Sequence, residues 1–157
     1  MVISSKQNER FKSWKKLLTK KGRKKEQAFL VEGEHLVEEA LFSGWPLLEL
    51  IQAEHYSLPK SWLEKIASIE KKSVICSSLF KELSETESPQ GIALKIGFPQ
   101  LPSMSELLSE SSFLLLIDGV QDPGNLGTII RTADAAGLDG ILLGKGTVDP
   151  FSGKVLR

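Results

Sequence analysis

Residues 113–117 are a solid apolar run. After it come Gly119, Pro123, Gly124 and Asn125, a largely apolar stretch of helical character, Gly137, and a second apolar run at 141–143. That order reads strand, turn, helix, strand. The chain must therefore contain a β-α-β unit whose joints are set by glycine and proline. One cation, Arg131, sits in the helix among Ile129, Ile130, Ala133, Ala135 and Ala136. A lone guanidinium is costly to bury without a partner, so it either faces solvent or holds something anionic or polar. Asn125 is read as opening the helix, as an N-cap would. Gly124 and Gly127 do not make a Gly-x-Gly-x-x-Gly fingerprint, which leaves a dinucleotide-binding unit a poor second reading.

The zero net charge of the whole conceals two halves of opposite sign. Residues 1–25 hold ten Lys/Arg against one acidic residue, a net charge of +9, and the rest holds ten against nineteen, a net charge of −9. A basic cluster of this density attracts polyanions through counterion release; a solvated basic face is the blander alternative. Phe11, Trp14, Leu17 and Leu18 recur at helical spacing between lysines, which predicts an amphipathic helix over residues 8–20. Its apolar stripe assigns Phe11 and Trp14 to a core rather than to base stacking. Residues 21–25 read as a basic loop.

Strands are expected at 28–31, 47–52, 74–76 and 90–96, with helices at 34–43, 62–69 and 79–83, so residues 1–97 form an α/β layered domain. Pro99, Pro102 and several serines mark residues 98–112 as a linker, in which Leu101, Met104, Leu107 and Leu108 could form a short helix. Residues 113–157 make a second, smaller region. No stretch approaches the about 20 apolar residues of a membrane span. Cys76 is a single cysteine, expected to be buried on its strand, and His35 and His55 lie apart without metal-ligand spacing. A reduced, cytoplasmic protein without a metal is the expectation.

The run from Asp122 to Gly137, Asp-Pro-Gly-Asn-Leu-Gly-Thr-Ile-Ile-Arg-Thr-Ala-Asp-Ala-Ala-Gly, resembles the first motif of the SpoU/TrmH family. These are S-adenosylmethionine-dependent RNA ribose 2'-O-methyltransferases of the SPOUT superfamily. Upstream, Ala28-Phe29-Leu30-Val31-Glu32-Gly33-Glu34, Ala40-Leu41 and Ser88-Pro89-Gln90-Gly91-Ile92-Ala93 resemble the substrate-binding domain that precedes the catalytic domain in this family, similar in fold to small ribosomal RNA-binding proteins. For Glu32, Gly33 and Pro89-Gln90-Gly91, structural roles are expected.

The resemblance implies an N-terminal ribosomal-protein-like α/β/α RNA-binding domain, then an incomplete α/β-knot methyltransferase domain. It implies Arg131 as the catalytic arginine, with Asn125 shaping its surroundings. From the residues alone, a helix-surface cation and an N-cap describe the same two positions. Arginine in general is a doubtful free base, so binding the target phosphate and the 2'-oxygen is the safer role. The expected RNA contacts are Lys12, Lys16, Lys20, Lys21, Arg23, Lys24 and Lys25. S-adenosylmethionine is the implied cofactor, RNA the partner (rRNA ahead of tRNA), and a homodimer the assembly. The family's second and third motifs are not among residues 1–157. The chain is therefore expected to be a piece of a longer protein, inactive alone, with the cofactor pocket beyond Arg157. A stand-alone RNA-binding module is the alternative.

Overall fold

The computed structural model describes residues 2–157, which fall into two units, residues 2–99 and 100–157. The first is a mixed five-stranded sheet with helices packed on it. Its strands are β1 (Val2–Ile3), β2 (Ala28–Glu32), β3 (Leu47–Ala53), β4 (Lys71–Ile75) and β5 (Ile92–Gly97), in the order β1-β4-β3-β5-β2. β4 runs parallel to β1 and β3, and β5 runs antiparallel to β3 and β2. The helices are α1 (Glu9–Lys16), α2 (Lys20–Glu26), α3 (Glu34–Phe42), α4 (Leu63–Ala67, after a 3-10 turn at Lys60–Trp62) and α5 (Ser77–Leu83).

Side chains alternate across a sheet, and the central strands here are apolar on both faces. Ile51, Ala53, Ile75 and Ala93 join Phe11 and Trp14 of α1 and Leu79, Phe80 and Leu83 of α5 in one buried cluster. Leu50, Ile92 and Leu94, also buried, point the other way. On β5 and β2 packs α3, with Val37, Ala40 and Leu41 buried. Glu38 of α3 accepts a hydrogen bond from the Trp62 indole, which ties the 3-10 turn to it.

Two glycine turns lock the ends of β2 and β5. Gly33 and Gly91 both have φ +93°, where only glycine sits without strain. The Gln90 side-chain oxygen accepts the backbone N–H of Glu34 at 2.7 Å. The Glu32 carboxylate collects the hydroxyls of Ser84 and Thr86 and the N–H of Glu85. Those motif residues thus carry the joints of the sheet. Tyr56 donates to Glu34, and burial together with that bond pushes its phenol up to about 12.

Several elements depart from the sequence reading. The expected basic loop at 21–25 is the helix α2. Thr19 caps it by accepting the N–H of Gly22, and lysine and arginine are good helix formers. Gly22 permits the tight turn from α1: a Cβ there would lie 1.8 Å from the Lys16 carbonyl oxygen. α1 correspondingly ends at Lys16 rather than residue 20. β4 begins at Lys71, and the helix expected over 62–69 is a 3-10 turn followed by five α-helical residues. Cys76 is half-buried, not buried. The strand stops at Ile75 and Cys76 caps α5, with Sγ 3.2 Å from the Ser78 hydroxyl. β1 adds a strand outside the sequence reading, since two residues carry no periodicity.

The second unit contains α6 (Met104–Glu110), β6 (Leu114–Ile117), α7 (Pro123–Ala135), β7 (Gly140–Leu143) and α8 (Gly153–Leu156). A full capping box starts α6, Ser103 exchanging hydrogen bonds with Glu106, so a helix occupies the expected linker. β6 and β7 pair in parallel, Leu114 opposite Gly140 through Ile117 opposite Leu143. The Asp139 carboxylate accepts the backbone N–H groups of Phe113 and Ser112, both at 2.8 Å. Those bonds hold it below the usual carboxylate range and fix the entry to β6. Ile117, Leu126 and Val155 are the buried centre, with Leu115, Val120, Ile129, Ile130, Ile141 and Val148 around them. Phe113, Leu116 and Leu143 are exposed, and of these Leu116 lies on the strand face opposite Leu115 and Ile117.

Candidate functional site

The first candidate surface is the basic pair α1–α2. α1 is pinned to the sheet from below. Trp14 is fully buried, and its indole N–H donates at 3.0 Å to the Glu49 carboxyl, itself buried on β3. Ser73 of β4 donates to the other Glu49 oxygen at 2.7 Å and accepts from Arg10 at 3.0 Å. With its apolar stripe held down, α1 presents its lysines to solvent. Lys12 pairs with Glu9 at 2.9 Å, an i,i+3 contact between exposed groups, and Lys16 lies 4.0 Å from Glu26. Lys20, Lys21, Lys24 and Lys25 are exposed; among the described residues they form no ion pair.

Arg23 corrects the expected set of RNA contacts. It is 5% exposed, and its guanidinium donates to the Leu17 carbonyl at 2.8 Å. It therefore satisfies a carbonyl left over where α1 ends and holds the α1–α2 turn from inside. Sequence alone cannot tell it from its lysine neighbours.

The second candidate site is the β6-α7-β7 unit. In a parallel unit the strand ends and the helix start open onto one crevice, where α/β proteins place their ligands. Here the loops after the two strands interlock. Gly144 lies so close under Asp118 that a Cβ would meet its carboxylate oxygen at 2.6 Å and the Ile117 carbonyl at 3.1 Å. The Val148 N–H donates to the Val120 carbonyl at 2.8 Å. Gly119 and Gly146 take positive φ, +68° and +91°.

Asp122, not Asn125, caps α7: its carboxylate accepts the Asn125 N–H at 2.7 Å, with Pro123 in the first turn. Aspartate suits the positive end of a helix, which leaves the Asn125 side chain exposed on the first turn. Asn125, Thr128 and Arg131 follow at intervals of three, so they form one ridge along the helix. Arg131 is exposed, and its Nη2 donates to the Thr128 hydroxyl at 3.3 Å. Thr128 escaped the sequence reading; the i,i+3 spacing to Arg131 was the signal for it. Gly127 shapes the same spot: a Cβ there would meet the Val155 carbonyl at 2.7 Å and Arg131 Nη1 at 3.3 Å. Its missing side chain lets α8 close on α7 and the guanidinium lie back along the helix.

A forked cation carrying several N–H donors, set on a rigid helix and unopposed by any carboxylate within 4 Å among the described residues, is suited to an anionic or developing oxyanion group. Among the described residues no three His, Cys, Asp or Glu side chains cluster to hold a metal, and no helix is long and apolar enough to cross a membrane.

Known proteins align with both units. Residues 8–94 match the MRM3-like substrate binding domain, and residues 112–157 match the SpoU rRNA Methylase family. The chain is 47% identical over 155 residues to the 23S rRNA (guanosine(2553)-2'-O)-methyltransferase RlmP of Bacillus subtilis, covering 99% of this chain and 59% of that protein. The AdoMet-bound rRNA methyltransferase from Sinorhizobium meliloti superposes with a TM-score of 0.80 at 30% identity, covering 100% of this chain and 59% of that one. The SpoU methyltransferase AviRb from Streptomyces viridochromogenes, in complex with AdoMet, gives 0.81 at 28% identity, covering 96% and 58%. The chain thus spans about three fifths of the length of these relatives.

Proposed function

Because the chain belongs to the SpoU methylase family, with an MRM3-like substrate-binding domain ahead of the SpoU segment, we propose that the whole protein methylates a ribose 2'-hydroxyl of ribosomal RNA. In this reading the first unit takes hold of the RNA and α7 serves the reaction. The exposed, carboxylate-free guanidinium of Arg131, one turn from Thr128 on a helix packed rigidly by Gly127, is the observation that carries it.

S-adenosylmethionine supplies the methyl group on a sulfonium. No residue of this chain is assigned to hold it, and most of its pocket falls, in this proposal, beyond residue 157. The chain's own residues orient the acceptor. Arg131 grips a phosphate or the 2'-oxygen, and its planar donors stabilise the charge that grows on that oxygen as its proton leaves to solvent. Asn125 and Thr128 hold the guanidinium and the sugar in register. The exposed Leu116, on the strand face away from Leu115 and Ile117, supports a further layer of the same protein over β6 and β7, since parallel strands take cover on both sides. A homodimer and a cytoplasmic setting complete the proposal.

Charge on α2 tests the RNA half with the chain as it stands. Reversing Lys20, Lys21, Lys24 and Lys25 to Glu, with Arg23 left in place because it is structural, should weaken binding of an rRNA fragment by about tenfold or more at low salt. The log-log salt slope should flatten as well, by about 0.7–0.9 for every phosphate that the lysines no longer neutralise. Filter binding across a salt series reads both. Unchanged affinity and slope would remove the basic surface from RNA recognition.

A further inference from the structure

We propose that Lys71 and Lys95, on the open sheet face beside α1, grip the phosphodiester backbone of the bound RNA, with Arg10 as a third cation. The inference rests on the RNA-binding reading and gives it a second contact, on the sheet itself and apart from the lysines of α2.

The sheet register brings the two lysines together. Glu49 of β3 lies opposite Lys71 of β4 on one side and Lys95 of β5 on the other. Partners in register project to the same face, so Lys95, Glu49 and Lys71 make one row across three strands. Its ends are two strand spacings apart, roughly 10 Å. The same face carries Ile51, Ala53, Ile75 and Ala93 under α1 and α5. The helices stop short of the row. A groove of about 430 Å³ opens there, with Leu47, Glu49, Glu70, Lys71 and Lys95 among its walls.

The charges of the row do not close on one another. A Lys-Glu-Lys row on adjacent strands is set for cross-strand ion pairs, yet neither lysine pairs with a carboxylate among the described residues. Glu49 is turned inward, 6% exposed, and accepts the Trp14 indole N–H on one oxygen and the Ser73 hydroxyl on the other. Lys71 is exposed and Lys95 half-buried. The network under α1 thus occupies the carboxylate and leaves both ammonium groups to an outside anion.

Arg10 extends the row toward α1. Ser73, two residues beyond Lys71 and on the same face of β4, accepts from Arg10 Nη1 at 3.0 Å. Arg10 is exposed and forms no ion pair among the described residues, so donors remain for a phosphate oxygen. Arg10 and Lys15 leave α1 on opposite flanks of its buried stripe, and Lys15 is engaged with the Glu82 carbonyl of α5 at 2.7 Å. The groove lies on the flank that α5 does not take. A nucleic-acid strand presents phosphates at regular intervals, which cations fixed on paired strands can match. An acidic protein segment offers carboxylates on mobile side chains and matches such a row less well.

The test uses residues 1–157 and an rRNA fragment, with Arg10 left in place because it also holds Ser73. Lys71→Gln combined with Lys95→Gln should weaken binding by about tenfold at low salt and flatten the log-log salt slope by about 1.5, the loss of two phosphate contacts. Lys71→Arg combined with Lys95→Arg keeps the charge and should stay within about twofold of the unmutated chain. Lys72→Gln is the control: Lys72 lies opposite Leu50 and projects to the other face, so affinity and slope should hold. Lysine acetylation of the unmutated chain, read by mass spectrometry, does not depend on how the variants fold. The RNA should shield Lys71 and Lys95 and spare Lys72. Unchanged affinity and slope in the glutamine pair, with Lys71 and Lys95 as reactive in the presence of RNA as in its absence, would overturn the groove contact; the RNA-binding reading would stand if charge reversal on α2 still weakens binding. A loss no larger than that from Lys72→Gln would mean general attraction and overturn it equally. Shielding by inorganic phosphate as complete as by RNA would make the groove an isolated anion site, and shielding by an oligoglutamate peptide but not by RNA would assign it to an acidic protein; either result overturns the proposal. No RNA binding by the unmutated chain would overturn the RNA-binding reading itself, and the groove contact with it.

Discussion

Replacing Arg131 with alanine in the whole protein is expected to lower the rate of methyl transfer by about two orders of magnitude or more, the scale for losing one preorganised donor to a developing oxyanion. The fold should survive, because Arg131 is exposed and its side chain bonds only weakly within the helix, to the Thr128 hydroxyl at 3.3 Å. Cofactor affinity should also survive if the pocket lies elsewhere. Arg131→Lys should rescue poorly, since an ammonium cannot reproduce the planar fork. Thr128→Val, which removes the hydroxyl and keeps the shape, should give a smaller loss. Single-turnover methylation with labelled S-adenosylmethionine separates these outcomes from changes in RNA binding. Near-normal turnover by the alanine variant would take Arg131 out of the mechanism.

The second large effect concerns stability. Trp14→Ala should destabilise the first unit by about 3–5 kcal/mol through the cavity it leaves. A further about 1–3 kcal/mol follows because the buried Glu49 carboxyl is deprived of a donor. For a unit of this size that corresponds to a fall in Tm of about 15 °C or more. Trp14→Phe keeps an aromatic ring in the core but removes the indole N–H together with part of the ring volume, so it should cost less than alanine and more than the lost donor alone. Thermal unfolding followed by circular dichroism distinguishes the two. An alanine variant melting within a few degrees of the parent would mean that α1 is not pinned through Glu49. RNA affinity should fall along with stability in the alanine variant, because the lysines of α1 depend on the same anchor.

The β-α-β unit was legible because glycine and proline punctuate it and apolar runs fill both strands. Spacing alone assigns Phe11 and Trp14 to the core, and both are buried there. What sequence could not show depends on partners distant along the chain. Glu49 meets Trp14 across 35 positions and Ser73 across 24, and nothing in the local pattern marks an acidic residue on β3 as buried. Arg23 looks like one more cation until the end of α1 supplies its carbonyl. At α7, Asp122 and Asn125 both suit a cap; the helix begins where Pro123 fixes φ, and that decides for Asp122. The ridge of Asn125, Thr128 and Arg131 was only partly visible, since threonine in a helix usually serves the backbone, as Thr132 does by donating to the Thr128 carbonyl.

The most direct test of the account is to identify the product. The whole protein would be incubated with rRNA and S-adenosylmethionine carrying a labelled methyl group, the RNA digested to nucleosides, and the label located by mass spectrometry. The account predicts the label on a ribose 2'-oxygen, at a rate that collapses with Arg131→Ala and falls with charge reversal on α2. Label on a base, or none on RNA that the protein demonstrably binds, would contradict it.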